Sequence, residues 1–323
     1  MPGKKAFEQQ IAALDALRES DAAIRLAAIR KGLTNRNNFI VAKAADLARE
    51  FQFADLAPDL LVAFDRFFEN PEKTDPQCWA KNAISRSLAA FEHQDAKVFL
   101  RGMRHLQLEP VYGGRSDSAG VLRATCALAL VQCRSLTNDE LLAHLIDLFA
   151  DKESAVRAEA ARAIEQVGSP PAALLLRLRA TLGKDEPEVL GACFGGILRI
   201  EGGRAIPWVG GFLAAADDTA GEAALAIAGT HSLEAFAFLR DALPNAKDPW
   251  LRSVLLSAIS LTRQDAAIEF LLELVRTESM DAEPAIEVLV RSGGSEQILK
   301  RVDQLVCDNP RLGRALAKSR ANR

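Results

Sequence analysis

The 323-residue sequence has few aromatic residues, almost no net charge and no long apolar run. Its 40 Lys and Arg residues against 43 Asp and Glu residues exclude a nucleic-acid binder that acts through bulk positive charge. Apolar stretches such as residues 124–132 are far too short to span a bilayer. Aromatic residues make up 6% and Tyr occurs once, whereas Ala and Leu dominate. This composition predicts a soluble all-α protein, because such residues fill the space between close helices rather than strands.

An export signal and a disulfide pattern are also missing. Residues 1–10 contain no apolar run of the kind that a secretory signal needs. The five cysteines are an odd number and include no CxxC pair. Cys126 and Cys133 lie seven residues apart on one predicted helix, about 10 Å along its axis, which is beyond disulfide reach. We therefore expect a cytoplasmic protein with free thiols and no membrane partner.

Motifs for catalysis, metal binding and nucleotide binding do not occur. The sequence has no GxxxxGK[S/T], no GxGxxG and no HExxH, and its four histidines are scattered. The carboxylate pairs Asp185-Glu186 and Asp217-Asp218 begin predicted helices, where acidic side chains favour the positive end of the dipole. We predict no catalytic residue, no metal and no cofactor, so a non-enzymatic protein is favoured over an enzyme.

The strongest positive feature is a series of aspartates at a nearly constant interval. Successive members are separated by 34, 34, 32, 31 and 33 residues, and Asp75 extends the series backwards by 42. The regular members are Asp117, Asp151, Asp185, Asp217, Asp248 and Asp281. A period of this length is typical of helical repeats, in which each unit buries its apolar face against the next.

Each Asp precedes a predicted Ala-rich helix. In residues 151–164 the pair Val156-Arg157 is followed by small residues at a spacing that lets helices lie close together. The segments around Arg123 and Arg252 keep the Arg, whereas residues 189–197 do not. One more amphipathic helix lies between successive Asp-led helices. Each unit is therefore predicted to be a helical hairpin, with about eighteen helices in all.

The Asp and the Val-Arg or Leu-Arg pair that ends six residues later resemble the HEAT repeat family. The similarity is greatest to its short bacterial form, also seen in the HEAT-like repeats of phycobilin lyases, and it covers roughly residues 20–308. It implies a right-handed α-α superhelix, an armadillo-like solenoid. It also implies that the Asp and Arg of each unit form a structural ladder of hydrogen-bonded pairs. The ladder implied in this way consists of Asp117, Arg123, Asp151, Arg157 and Arg252.

The repeat predicts one solenoid domain over residues 1–323. Residues 1–20 are expected to cap its amino-terminal end, residues 107–116 to form a loop insertion, and residues 309–323 to form a basic cap or tail. Seven of the 20 glycines fall in residues 191–211. Close helix packing, a hinge and the approach of backbone to a ligand are the three interpretations of this cluster.

Counting along the second helix of each hairpin gives the positions that would line a concave face. In the amino-terminal half these positions are charged, as at Lys43, Asp46, Glu159 and Arg162. Towards the carboxyl terminus they are small or weakly apolar: Ala192, Gly195, Ala223, Ala226, Val254 and Ser257. Such a lining suits an apolar or helical protein partner, and the alternative is an inner surface that binds nothing.

The insertion at residues 107–116 is the second predicted contact. It carries Tyr112, the only Tyr, next to two glycines and Arg115. Long loops that interrupt a regular array often carry function, so the loop can present an aromatic side chain and a cation to a partner. A tolerated surface insertion explains it equally well.

Three functions are compatible with such an array. The first is a scaffold that binds a protein partner through the concave groove or the Tyr112 loop. The second is a HEAT-like DNA glycosylase, which the lack of basic excess and of aromatics disfavours. The third is a tetrapyrrole-attachment protein like the phycobilin lyases, which only the repeat supports. We favour the scaffold, with a protein partner and no nucleic acid.

Overall fold

The computed structural model describes residues 2–291 and 296–322 of the chain. Helices account for 77% of the protein, so the predicted all-α class is confirmed. The chain forms two compact units, Met1–Val167 and Gly168–Arg323, which we call unit 1 and unit 2. The single solenoid over the whole chain stays a prediction.

Unit 1 contains ten helices and one β-hairpin within the described residues. Its helices are α1 Pro2–Asp15, α2 Ala22–Leu33, α3 Asn38–Glu50, α4 Ala57–Arg66, α5 Pro71–Thr74, α6 Trp79–Ala90, α7 Ala96–Met103, α8 Gly120–Leu130, α9 Asn138–Phe149 and α10 Ser154–Val167. The strands β1 Leu108–Val111 and β2 Gly114–Asp117 lie between α7 and α8. The helices α3, α6, α8 and α10 pack side by side in one row, and α2, α4, α7 and α9 cover them.

Unit 2 repeats this arrangement. Its helices are α11 Pro170–Leu182, α12 Pro187–Glu201, α13 Ile206–Gly210, α14 Asp218–Ala228, α15 Leu233–Ala242, α16 Pro249–Leu261, α17 Asp265–Arg276, α18 Ala282–Arg291, α19 Glu296–Val306 and α20 Pro310–Ala321. The row is α12, α14, α16, α18 and α20, with α11, α15 and α17 packed on it. The row helices from α6 to α18 are the Asp-led helices of the sequence, whereas α3 and α20 begin after Asn37 and Asn309.

The helix ends follow from local chemistry. Asp217 and Asp248 cap α14 and α16 by accepting hydrogen bonds from the N–H groups of Ala220 (3.1 Å) and Leu251 (3.0 Å). A proline follows Asp248 at the first helical position, where its missing N–H group costs nothing. Gly183 ends α11 with a φ of +61°, a conformation that glycine adopts without strain.

The predicted caps are both helical. Of the predicted cap at residues 1–20, the described part contains α1 followed by a 3₁₀ turn, Ala16–Glu19. The predicted basic tail is helix α20, whose Leu312 and Leu316 are buried and which packs on α18. Arg320 of this helix pairs with Asp303 at 2.8 Å. Arg323, the last basic residue of the predicted tail, lies outside the described residues.

The glycine-rich segment of unit 2 accommodates side chains from neighbouring helices. A Cβ atom at Gly191 would overlap the Glu222 carboxylate, and one at Gly210 would overlap the Phe238 ring. At Gly195, by contrast, a Cβ atom would meet nothing within 4 Å. Burial, with the negative charges of Glu188 and Asp218, raises the pKa of Glu222. Close packing therefore explains some glycines of this segment and not others.

Candidate protein-interaction site

Arg123 of α8 joins the chain segments that begin at Asp117 and at Asp151. Its side chain is 4% exposed. Its guanidinium donates to Asp151 from Nε at 2.8 Å, to Asp117 at 2.5 Å and to the carbonyl oxygen of His105 at 3.2 Å. The predicted ladder residues Asp117, Arg123 and Asp151 thus meet inside unit 1. The bidentate contact with Asp151 fixes the next hairpin relative to α8.

Burial and hydrogen bonding act in opposite directions on these groups. Burial lowers the pKa of the Arg123 guanidinium, but its bonds to two carboxylates raise that pKa above the ordinary value. Burial also raises the pKa of Asp117, whereas bonds from the N–H groups of Gln107 and Ala119 and from Arg123 bring the pKa below the usual value. Both groups are therefore charged at neutral pH and are engaged in contacts within unit 1.

The other predicted arginines make related contacts. In unit 2, Arg252 Nε donates to Asp281 at 2.8 Å, and its Nη1 donates to the carbonyl oxygens of Leu243 and Ala246 at 2.9 and 2.7 Å. In unit 1, Arg157 Nη1 donates to the carbonyl oxygen of Asp151 at 2.7 Å. These arginines hold the ends of neighbouring helices together.

The sequence analysis did not predict the fully buried ion pair of unit 1. Lys81 and Asp75 are both 0% exposed, and Lys81 Nζ lies 2.9 Å from Asp75 Oδ2 and 3.1 Å from the carbonyl oxygen of Phe67. Asp75 also accepts bonds from Asn38 Nδ2 at 3.1 Å and from the N–H group of Ala80 at 2.8 Å. The signal was present in the sequence, because Lys81 follows Asp75 by the same six residues that separate Asp117 from Arg123.

The predicted loop insertion is a β-hairpin. Its two strands pair antiparallel from Leu108 opposite Asp117 to Val111 opposite Gly114. Tyr112 and Gly113 form the turn, and Gly113 has a φ of +86°, the positive value that a type II turn places at its second central residue and that glycine adopts readily. No strand had been predicted here, so this is a local correction to the all-helical expectation.

Buried hydrogen bonds anchor the base of the hairpin. Gln107 is 2% exposed, and its Nε2 donates to the carbonyl oxygen of Asp75 at 2.8 Å and to Glu109 at 2.6 Å. Glu109 Oε1 also accepts from the N–H group of Gln77 at 2.6 Å and from the Ser118 hydroxyl at 2.7 Å. Burial raises the pKa of Glu109, but these hydrogen bonds outweigh the effect of burial and hold the pKa below its usual value. The same bonds fix the hairpin to the segment before α6.

Arg115 takes part in this anchoring. Its Nη2 donates to Glu72 at 2.7 Å and to the carbonyl oxygen of Leu108 at 2.5 Å. The predicted cation beside Tyr112 is thus paired within unit 1, although the Arg115 side chain remains 54% exposed. Its contribution is to hold the hairpin against the helix α5 that carries Glu72.

The hairpin presents apolar side chains to solvent. Tyr112 is fully exposed at its tip. Three aliphatic residues of the same segment have exposed fractions of about one half or more: Leu106, Leu108 and Val111. Scattered exposed apolar residues are ordinary, but four fall within these seven residues. Leu108 and Val111 lie on opposite faces of the hairpin, because side chains alternate along a strand, so Tyr112 at the tip is the side chain best placed to contact a partner.

A cleft lies next to Leu106, between α7 and α9. It has a volume of about 230 Å³ and lies over the Arg123–Asp151 pair. Its apolar lining consists of Leu100, Met103, Leu106 and Leu148. Small-molecule sites usually enclose about 300–1,000 Å³, so the cleft is better matched to one large side chain than to a cofactor.

Backbone strain occurs where the hairpin meets α6. Gln77 and Cys78 have φ values of +57° and +54°, which are unfavourable for residues with a side chain. Cys78 is 0% exposed, and its Sγ lies 3.2 Å from Gln107 Oε1. Burial raises the pKa of this thiol to about 11, so Cys78 is protonated at neutral pH and does not act as a nucleophile.

The predicted groove residues of unit 2 are less accessible than the hairpin. Most of the predicted set, namely Ala192, Gly195, Ala226, Val254 and Ser257, is half-buried. Ala223 is 0% exposed, so its predicted outward position is wrong. The physical reason is that α14 packs between α12 and α16, and a single methyl group at Ala223 does not reach past these neighbours.

Two cysteines occupy the same small position in the Ala-rich helices α8 and α12. Cys126 and Cys193 are both 0% exposed, as predicted from their small position in the Ala-rich helices, and burial raises the pKa of each thiol. All five cysteines are free.

In the part of the chain that the structure describes, no group of three or more His, Cys, Asp or Glu side chains can hold a metal ion. No helix in residues 2–291 or 296–322 combines the length and the apolar character needed to cross a membrane. Comparison of the chain with protein-family models and with curated proteins found no match.

Proposed function

We propose that this protein is a non-enzymatic helical-repeat scaffold that binds a protein partner through the β-hairpin of unit 1. The observation that carries the proposal is the fully exposed Tyr112 at the tip of a hairpin whose base is fixed by buried hydrogen bonds. An anchored backbone loses little conformational entropy on binding, and aromatic side chains supply much of the binding energy of interfaces.

The cleft beside Leu106 supplies a second contact for the same partner. Leu106 lies two residues before β1 and lines the cleft, so the cleft adjoins the base of the hairpin. The lining combines four apolar side chains with Arg104, Asp147 and the paired Arg123 and Asp151. These features favour a polypeptide segment that inserts one apolar side chain and contacts Tyr112 with a neighbouring part.

Site-specific photo-crosslinking in cells tests this proposal. A photoreactive phenylalanine analogue replaces Tyr112, and in the matched control it replaces Val62, an apolar residue of unit 1 that is 68% exposed outside the hairpin. We expect a discrete crosslinked protein at position 112 that is missing at position 62. Leu106→Asp in the same chain should abolish the product, because a carboxylate in the apolar wall is costly to desolvate.

The outcome also separates the alternative functions. No crosslinked protein at position 112, or the same products at positions 112 and 62, would contradict the hairpin as the contact. Nucleic acid that copurifies with the protein and absorbs at 260 nm would favour a DNA-binding function, and a tightly bound pigment would favour tetrapyrrole chemistry.

The proposed architecture is a right-handed superhelix of HEAT-like hairpins in the cytoplasm. Its support is the Asp repeat in the sequence, the paired rows within each unit and the five free thiols. Small-angle scattering that fitted a sphere of this chain mass would contradict the superhelix.

A further inference from the structure

Helix α11 at the start of unit 2 has an uncharged, apolar outer face. Its inner face packs on α12 with Ala172, Ala173, Leu176 and Ala180 buried. Its exposed residues are Pro170, Pro171, Leu174, Leu178, Thr181 and Leu182, none of which carries a charge. The three leucines are 67%, 58% and 61% exposed. A surface helix normally shows charged residues opposite its buried face, so this helix has two apolar faces and a partner on only one.

The three leucines are arranged symmetrically along the helix. Leu174 and Leu182 lie four residues before and after Leu178, so the stripe looks the same from either end and is about 12 Å long. A two-fold interface requires a patch that is complementary to itself. An antiparallel copy of α11 meets this requirement, since Leu178 faces its own equivalent and Leu174 faces Leu182.

The two arginines beside the stripe are paired within unit 2. Arg177 Nε donates to Glu201 at 2.9 Å, and its guanidinium lies 4.3 Å from the centre of the Trp208 ring. Arg179 Nε donates to Asp185 at 2.6 Å. The exposed Lys184 lies two residues after Leu182, so an antiparallel pair places its two Lys184 residues at opposite ends. Two copies can therefore approach without bringing like charges together.

We propose that the Leu174, Leu178 and Leu182 face of α11 binds the same face of a second copy of this chain, antiparallel and with Leu178 on the two-fold axis. The inference does not depend on the hairpin function, because it concerns another unit. A 13-residue helix is about 20 Å long. It can bury only part of the roughly 800 Å² per partner that stable dimers bury, so the association is weak and depends on concentration.

Sedimentation velocity of the full chain from low to several hundred micromolar tests the association. For the wild-type protein we expect the mean mass to rise towards twice that of the chain. Leu178→Glu should raise the dissociation constant by about tenfold or more, because two carboxylates then meet at the axis. The matched control is Leu233→Glu, on a leucine that is 62% exposed at the start of α15, which should leave the association unchanged. A wild-type protein that stays monomeric at the highest concentration would overturn the proposal, as would equal effects of the two variants.

Cysteine crosslinking then tests the antiparallel direction. In a Cys307→Ser background, which removes the exposed native thiol, Leu178→Cys should form a covalent dimer on mild oxidation. Leu174→Cys alone should not, because its two copies lie about 12 Å apart along the axis, beyond disulfide reach. A mixture of Leu174→Cys and Leu182→Cys chains should crosslink. Self-crosslinking of Leu174→Cys in preference to the mixture would show a parallel arrangement and contradict the proposed symmetry.

Discussion

At the scale of single residues, the Lys81–Asp75 pair is the most sensitive point of unit 1. Lys81→Met keeps most of the side-chain volume but leaves the Asp75 carboxylate buried without its cation. We expect a loss of about 3–5 kcal/mol in the free energy of unfolding, measured by urea denaturation, because an uncompensated buried charge is costly. Replacing both residues, as Asp75→Asn with Lys81→Met, should cost less, since no charge is then left unpaired.

A surface pair provides the matched control for this prediction. Lys300 pairs with Glu296 at 2.9 Å, and both side chains are more than two thirds exposed. Lys300→Met should change the free energy of unfolding by less than about 0.5 kcal/mol. If Lys81→Met cost no more than Lys300→Met, the buried pair would not be structural.

The ladder shows how far residue-level prediction reaches. The pairing of Arg123 with Asp117 was implied by the resemblance to HEAT repeats, whereas its contact with Asp151 of the following segment was not specified. Lys81 was missed because it follows Ala80, whereas the arginine of the other Asp-led segments follows a Val or Leu. Ala223 was misplaced because spacing gives the direction of a side chain but not its depth below neighbouring helices.

At the scale of elements, two glycines of unit 2 should respond to replacement by alanine with opposite changes in stability. Gly210→Ala places a methyl group against the rigid Phe238 ring and should cost about 1–3 kcal/mol of stability, as overpacked cores do. Gly195→Ala meets no neighbour inside α12 and should stabilise the protein by about 0.5–1 kcal/mol, since alanine favours helix over glycine. Thermal unfolding of the two variants checks both signs. A stabilising Gly210→Ala would contradict the close approach of α15.

The two strands of the hairpin were not predicted from the sequence. The turn signal was available, because Tyr112, Gly113 and Gly114 separate two short segments. Their strand character was hidden by Pro110 and by polar residues whose partners lie far away in the chain. Gln107 and Glu109 bind the segment at residues 75–78, and no local pattern reveals such distant hydrogen bonds.

At the scale of the whole molecule, each unit keeps most of its contacts to itself. Amide hydrogen exchange of Lys81→Met should therefore show lost protection within residues 2–167 and little change in residues 168–322, because local unfolding occurs in contiguous cooperative units. Arg252→Met, which breaks the contact with Asp281, should show the reverse pattern. Uniform loss of protection in either variant would indicate that the two units unfold as one.

The paired ends of the hairpin have a consequence for how this protein can change over evolutionary time. Leu108 and Asp117 lie opposite each other, so the chain leaves the array and returns to almost the same point. Residues can be added or removed at the Tyr112–Gly113 tip without shifting the register of any helix that follows. The tip is therefore a natural place for new sequences to be acquired, and it accounts for an array that tolerates one interval of 42 residues among intervals of 31 to 34.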